Sequence, residues 1–168
     1  MILSKTRTEL GTTLIEATIA ACTSAMFLGS LFAMNMTSMK TLRSAREAAT
    51  ASQVLQQRIE TLRIANWHQI TDANWLKLHV LNADAPGGAL LKAESETLTL
   101  VPYGSTTVGN IQLTRSGGTT SITNTNSSML TESAMKVIWT VGYTGGNQSA
   151  AVTRQAVAII AKGGVAKW

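Results

Sequence analysis

The first feature of the sequence is an apolar stretch close to its amino terminus. Residues 17–39 contain no charged side chain. As an α-helix this run of about 23 residues is about 34 Å long, enough to cross the hydrocarbon core of a bilayer once. Small and hydroxylated residues are interspersed throughout the run, and this composition favours packing between helices over exposure to lipid on every side.

The apolar stretch continues into a segment with helical periodicity. Ala51, Leu55, Ile59 and Leu62 recur at intervals of three and four residues, and polar residues fill the other positions. This spacing predicts an amphipathic helix. No glycine or proline lies in residues 40–66, so we expect one long helix from about Thr13 to about Ala65. We place Glu47, Gln53, Gln57, Arg58, Glu60 and Arg63 on its polar faces.

The remainder of the chain has the pattern of a connector followed by β-strands. Residues 66–88 combine scattered tryptophans and aliphatic residues with polar ones and end in Pro-Gly-Gly, which predicts an irregular connector. Period-two alternation follows in residues 97–100, 111–114 and 137–143, and residues 152–161 form a longer β-branched segment. Gly117–Gly118 and Gly145–Gly146 stand where hairpin turns are needed. The predicted fold class is therefore α+β, a long helix packed on a small antiparallel sheet.

Two polar segments within this region are interpreted as solvated. Residues 119–128, rich in serine, threonine and asparagine, are expected to form a surface loop at the edge of the sheet. Glu94 and Glu96 lie two positions apart and so share one face of a strand, where we expect them to be a solvated pair.

Composition and charge exclude several classes of protein. The chain has 168 residues, of which 45% are hydrophobic and 14% charged, so it is long enough for one folded domain and too apolar for a disordered chain. The net charge is +5, but the basic residues are dispersed, and we predict no binding to nucleic acid. The single cysteine excludes an internal disulfide.

Motifs of enzymes and of cofactor or metal sites are absent from the sequence. There is no phosphate-binding glycine loop, nucleophile elbow or HExxH. The two histidines, His68 and His79, lie near Asp72 and Asp84, but their spacing matches no tight zinc pattern. We therefore predict a protein that is not an enzyme and that needs no metal or cofactor.

The residues before the apolar stretch form a short basic leader followed by a distinctive motif. A secretory signal has its small-residue cleavage site after the apolar stretch, whereas here the break between leader and apolar run is Gly11. Gly11-Thr12-Thr13-Leu14-Ile15-Glu16 resembles the processing motif of type IV prepilins and of the pseudopilins of type II secretion. A carboxylate inside an apolar segment costs about 2.5 to 3.5 kcal/mol at a helix centre, so Glu16 is a functional candidate that needs a partner. The alternative is a glutamate near the helix start that is favoured by the helix dipole and solvated at the membrane surface.

The resemblance implies a processing and assembly route. A prepilin peptidase would cut between Gly11 and Thr12, the new amino group of Thr12 would be N-methylated, and Glu16 would register the subunit during assembly. Residues 1–11 are then the leader, 12–39 the membrane and fibre-core helix, 40–66 its amphipathic continuation, and 67–168 the extracytoplasmic connector and sheet domain.

The resemblance also implies a location and partners. The subunit would lie in the bacterial inner membrane with its leader in the cytoplasm. Its partners would be membrane lipid, the inner-membrane assembly machinery, and other pilins or pseudopilins in a helical fibre. The lack of a disulfide loop favours a minor subunit over a major one. The choice between a type IV pilus, a type II secretion pseudopilus and a DNA-uptake pilus stays open.

Two other functions are compatible with the sequence. One is an uncleaved single-pass anchor that carries a β domain binding an envelope partner or ligand, for which the mature protein begins at Met1 and Glu16 is dispensable. The other is a membrane-bound enzyme, which requires a cleft with converging polar groups.

Overall fold

The computed structural model describes residues 9–84, 91–104, 110–145 and 151–163. Leader residues 1–8, the Pro-Gly-Gly end of the predicted connector and Gly146 lie outside these ranges. The chain divides into two compact units, residues 1–42 and residues 43–168. Helix α1 spans Glu9–Ile64, within a few residues of the predicted bounds at both ends.

In the second unit, α1 packs one face against the sheet. Ala51, Val54, Leu55 and Leu62 are buried there, as the helical spacing predicts. Glu47 and Arg58, which we placed on polar faces, are also buried, so that part of the prediction was wrong. Arg58 lies on the packed face because the interval from Leu55 to Leu62 brings it there, and its charge is neutralised inside the domain, as described below.

The connector forms a series of short helical turns. Helix α2 spans Trp67–Ile70, helix α3 spans Ala73–Trp75, and a π-helix spans Leu76–Leu81. Ile70 and Leu76 are buried, and the buried Trp67 donates a hydrogen bond from Nε1 to the Leu130 carbonyl oxygen at 3.1 Å. Most of the predicted connector, residues 67–81, thus consists of short helical turns, and Trp67 links it to Leu130.

Five antiparallel strands form the sheet, in the order β3-β2-β1-β4-β5. Their bounds are β1 Lys92–Pro102, β2 Ile111–Ser116, β3 Thr119–Asn124, β4 Ala134–Thr144 and β5 Ala151–Ala161. Gly117 and Gly118 connect β2 to β3 with φ values of 56° and 80°. Positive φ at both central residues is the geometry of a two-residue hairpin turn, which glycine adopts without steric cost.

Alternation along the strands decides which face packs against α1. Leu98, Leu100, Leu113, Val137 and Trp139 all point to the packed face and are fully buried. The threonines and other residues between them point to the opposite face and are partly exposed. The α+β prediction is thus confirmed: a long helix packs on one face of an antiparallel sheet.

The interpretation of residues 119–128 as a surface loop was wrong. Thr119–Asn124 is an edge strand paired with β2, and Ser127–Thr131 is a short 3-10 helix. Composition suggested a loop, but threonine is β-branched and fits a strand well. The Gly117–Gly118 turn also directs the following residues back along β2.

Candidate functional site

The residues of the processing motif lie in the first turns of α1. Gly11 and Thr12 have helical backbone, and Glu16 follows Thr12 by four residues. Residues separated by four positions lie on the same face of a helix, one turn apart. The Glu16 side chain is exposed, and within the described chain its carboxylate makes no hydrogen bond or ion pair. The structure thus places Thr12 and Glu16 one turn apart on the same helix.

The apolar part of α1 is uncovered by the rest of the described chain. All residues from Thr13 to Arg46 are exposed. Phe27, Phe32 and Met34 are 64%, 69% and 70% exposed. An 18-residue window in this helix has a mean hydropathy of 1.6, and by length and composition the helix can cross a membrane. An apolar helix of this kind needs lipid or other protein around it, because its exposure to water is unfavourable.

Hydroxyl groups in this apolar segment form hydrogen bonds within the helix itself. Thr18 Oγ1 donates to the Leu14 carbonyl oxygen at 2.7 Å, one turn earlier. Thr23, Ser30, Thr37, Ser38 and Thr41 donate to the preceding turn in the same way, at 2.7–3.0 Å. These bonds give each of the six hydroxyl groups a partner without water, so these residues are compatible with a nonaqueous environment.

A cluster of charged groups lies at the junction of α1 and the sheet, where the sequence had predicted a solvated pair. Glu96 is fully buried. Its Oε1 accepts hydrogen bonds from Arg58 Nη2 at 2.9 Å and Arg115 Nη1 at 3.0 Å. Its Oε2 accepts from Arg58 Nε at 3.0 Å and Trp139 Nε1 at 3.1 Å. The prediction of a solvated pair was wrong for Glu96, since both of its oxygens are fully used inside the domain.

The same cluster ties three parts of the second unit together. Arg58 comes from α1, and it also donates to the carbonyl oxygens of Val80 in the π-helix and Ala83 just after it. Its guanidinium carbon lies 5.9 Å from the centre of the Trp139 ring. Two positive charges are therefore held around one buried carboxylate, with backbone oxygens taking up the remaining donors.

Glu94 occupies the more open side of this cluster. It lines a depression of about 380 Å³ with Glu96, Arg115 and residues 116–118. Burial raises the pKa of the Glu94 carboxyl above its ordinary value of 4.5, the negative charge of Glu96 raises it further, and Arg115 and Arg58 act in the opposite direction. Among the described residues, Glu94 Oε1 has no hydrogen-bond partner, although it is buried.

The histidines belong to the connector. His68 is exposed, and the His79 ring stacks on Trp75 with the ring centres 5.1 Å apart. In the part of the chain that the structure describes, no three histidine, cysteine, aspartate or glutamate side chains are close enough to hold a metal ion.

Comparisons of the chain with models of known protein families, with curated proteins and with solved structures found no match.

Proposed function

We propose that this chain is a prepilin-like structural subunit, a minor pilin or pseudopilin. It is processed after Gly11, held in the inner membrane by α1, and then assembled through that helix into a fibre. The observation that carries the proposal is the position of the Gly11–Glu16 motif at the start of an apolar helix that the described chain leaves uncovered.

The exposed helix is compatible with two successive environments. In the membrane, lipid covers its apolar residues, and in the fibre the corresponding helices of neighbouring subunits replace the lipid. The small residues and locally bonded hydroxyls permit close approach of neighbouring helices. The sheet domain remains outside the membrane.

The position of Glu16 supports a role for its carboxylate in assembly. Processing would create an ammonium group at Thr12, one turn from Glu16 in the same helix or beside Glu16 of a neighbouring subunit. An ion pair of this kind offsets the cost of a carboxylate in apolar surroundings. It also requires one particular axial position of each subunit against the next.

Processing is tested by sequencing the amino terminus of the full chain from its native membranes, alongside a Gly11→Val variant. The parent is expected to begin at Thr12 and the variant at Met1. Gly29→Val is the matched control, because Gly29 lies in the same helix with nothing within 4 Å of an added Cβ. A parent that begins at Met1 contradicts the proposal and supports the uncleaved membrane anchor instead.

Assembly is tested separately with Glu16→Gln, compared with Glu60→Gln on the exposed part of the same helix. We expect both variants to be cut at Thr12, and Glu16→Gln alone to be absent from sheared or detergent-extracted fibres. Normal incorporation of Glu16→Gln would refute the assembly role without affecting the conclusion on processing.

A further inference from the structure

The outermost strand on one side of the described sheet is β5, and little covers it. It runs for 11 residues, Ala151–Ala161, and pairs with β4 along its whole length. Its residues are exposed or half-buried except Ile160. Val157 and Ile159 are 54% and 57% exposed on the face that points away from α1. Strand β5 therefore offers both an apolar surface and a backbone edge.

The hydrogen bonds at the end of β5 show which backbone groups face that edge. Lys162 N donates to the Ser133 carbonyl oxygen at 2.7 Å, so the backbone of Lys162 points toward β4. In an antiparallel strand successive residues point their backbone groups to opposite sides. Counting back from Lys162, the even-numbered residues of β5 bond to β4, and Gln155, Val157 and Ile159 direct their N–H and C=O groups outward.

Within the part of the chain that the structure describes, this edge lacks the usual protection against strand pairing. Exposed edge strands are ordinarily short, interrupted by proline or bulges, or rich in charged residues. Strand β5 contains no proline, its pairing with β4 shows no register shift, and Arg154 is its single charged residue. The opposite edge strand, β3, has only six residues and is mostly polar.

The charged residues on β4 and β5 and directly after β5 are positive, whereas Glu132, two residues before β4, is negative and half-buried. Strands β4 and β5 contain two charged residues, Lys136 and Arg154, and Lys162 follows β5 directly. All three are exposed, Lys136 on the outer face opposite Ile159 and Arg154 on the other face opposite Val141. A second copy of the chain would bring the same basic residues together, whereas an acidic strand would be complementary to them.

We propose that β5 is a docking edge for an extended acidic segment of a partner protein, which adds to the sheet as a sixth strand. The backbone of the segment bonds to the outward groups of residues 155, 157 and 159. Its apolar side chains cover Val157 and Ile159 on the outer face, and its carboxylates, which alternate with them, lie on the opposite face near Arg154. This inference does not depend on processing at Gly11 or on assembly into a fibre.

The experiment uses the full chain in a nonionic detergent and a fluorescent peptide of alternating glutamate and valine, matched in length to β5. We expect fluorescence anisotropy to show binding that weakens as salt increases. Val157→Pro removes an outward N–H without breaking a bond to β4, and should weaken binding by about tenfold. Val157→Thr keeps the N–H and the β-branch and loses only one methyl group, so it should weaken binding less than Val157→Pro does.

Amide hydrogen exchange distinguishes strand addition from simple attraction between charges. The peptide should slow exchange at Val157 and Ile159, and leave Ala158 unchanged because its N–H already bonds to β4. Equal binding of a lysine–valine peptide, or binding with unchanged exchange at Val157, would overturn the proposal. So would dimers of the chain alone that Val157→Pro dissociates, because a second copy would then occupy the edge.

Arg154→Glu provides a second variant if Val157→Pro fails to fold, which tryptophan fluorescence would reveal. Arg154 is exposed, so the fold should tolerate the change. The acidic peptide should bind this variant less tightly and the lysine–valine peptide more tightly. If Arg154→Glu bound both peptides with the affinities of the parent, the charge complementarity on which the choice of partner rests would be refuted.

Discussion

Replacing Glu96 with glutamine should strongly destabilise the sheet domain. The substitution keeps the size of the side chain and removes its charge. It leaves Arg58, whose side chain is 5% exposed, and Arg115, whose side chain is 17% exposed, without their shared carboxylate. The new amide nitrogen would also face the donors of Arg58 or Arg115, since one of the two former carboxylate oxygens becomes a donor.

The size of this effect follows from the burial of the group. The carboxylate accepts four hydrogen bonds, three of them from guanidinium groups. Removing one partner of a buried ion pair costs about 3 to 5 kcal/mol, because an uncompensated charge remains. The free energy of unfolding of an ordinary domain is about 5 to 15 kcal/mol, so this loss would be a large fraction of it.

The measurement is urea unfolding of the full chain in detergent, followed by tryptophan fluorescence. Glu60→Gln is the matched control: its partner Arg63 is on the same helix, and the two side chains are 62% and 56% exposed. An exposed pair of this kind contributes less than about 1 kcal/mol. If Glu96→Gln lowered the free energy of unfolding no more than Glu60→Gln does, the view that the cluster ties helix and sheet together would be refuted.

Two further predictions concern the sheet. Gly118→Val should lower the free energy of unfolding by about 1 to 3 kcal/mol, because φ is 80° at this position. Gly29→Val in α1 is the control and should leave the unfolding of the sheet domain unchanged. Equal effects of the two variants in urea unfolding would contradict the turn geometry. Because the pKa of Glu94 is raised in the folded chain, the folded state holds this proton more tightly than the unfolded state, so its ionisation lowers stability as the pH rises above 4.5. Glu94→Gln should therefore be more stable than the parent at about pH 7 and equal to it at about pH 4, and unfolding curves that differ by the same amount at both pH values would contradict the assignment.

Sequence patterns predicted the elements that depend on local periodicity. The helix bounds, the alternating strands and the Gly117–Gly118 turn follow from spacing that is visible within about ten residues. The burial of Glu96 does not follow from local spacing alone. Glu96 lies two and four positions before Leu98 and Leu100, so it shares their face of β1, and this spacing was a signal that it faces the core. The carboxylate is buried because Arg58 reaches it from 38 residues away, and a local pattern contains no information on such a contact.

The other predictions also divide into those that depend on local sequence and those that depend on tertiary structure. Gly11, Thr12 and Glu16 could be proposed from sequence because they lie within six consecutive residues, and the structure adds that Thr12 and Glu16 lie one turn apart on one helix. Strand β3 was missed because its threonines and asparagines are also typical of loops. Its pairing with β2 depends on the hairpin turn that precedes it, so the turn was a better guide than the composition.

The internal hydrogen bonds of the threonine and serine hydroxyls have a consequence for how α1 recognises its neighbours. These hydroxyl protons are already donated within the helix, so the groups can offer an adjacent helix only acceptor lone pairs and no donor. Further directional bonds from residues 14–39 can come from the Glu16 carboxylate, the Ser24 hydroxyl and the Asn35 amide, whose side chains make no hydrogen bond in the described chain. Glu16 and Asn35 stand about 28 Å apart along the axis and about 100° apart around it. Two such positions determine both the axial translation and the rotation of one helix against another.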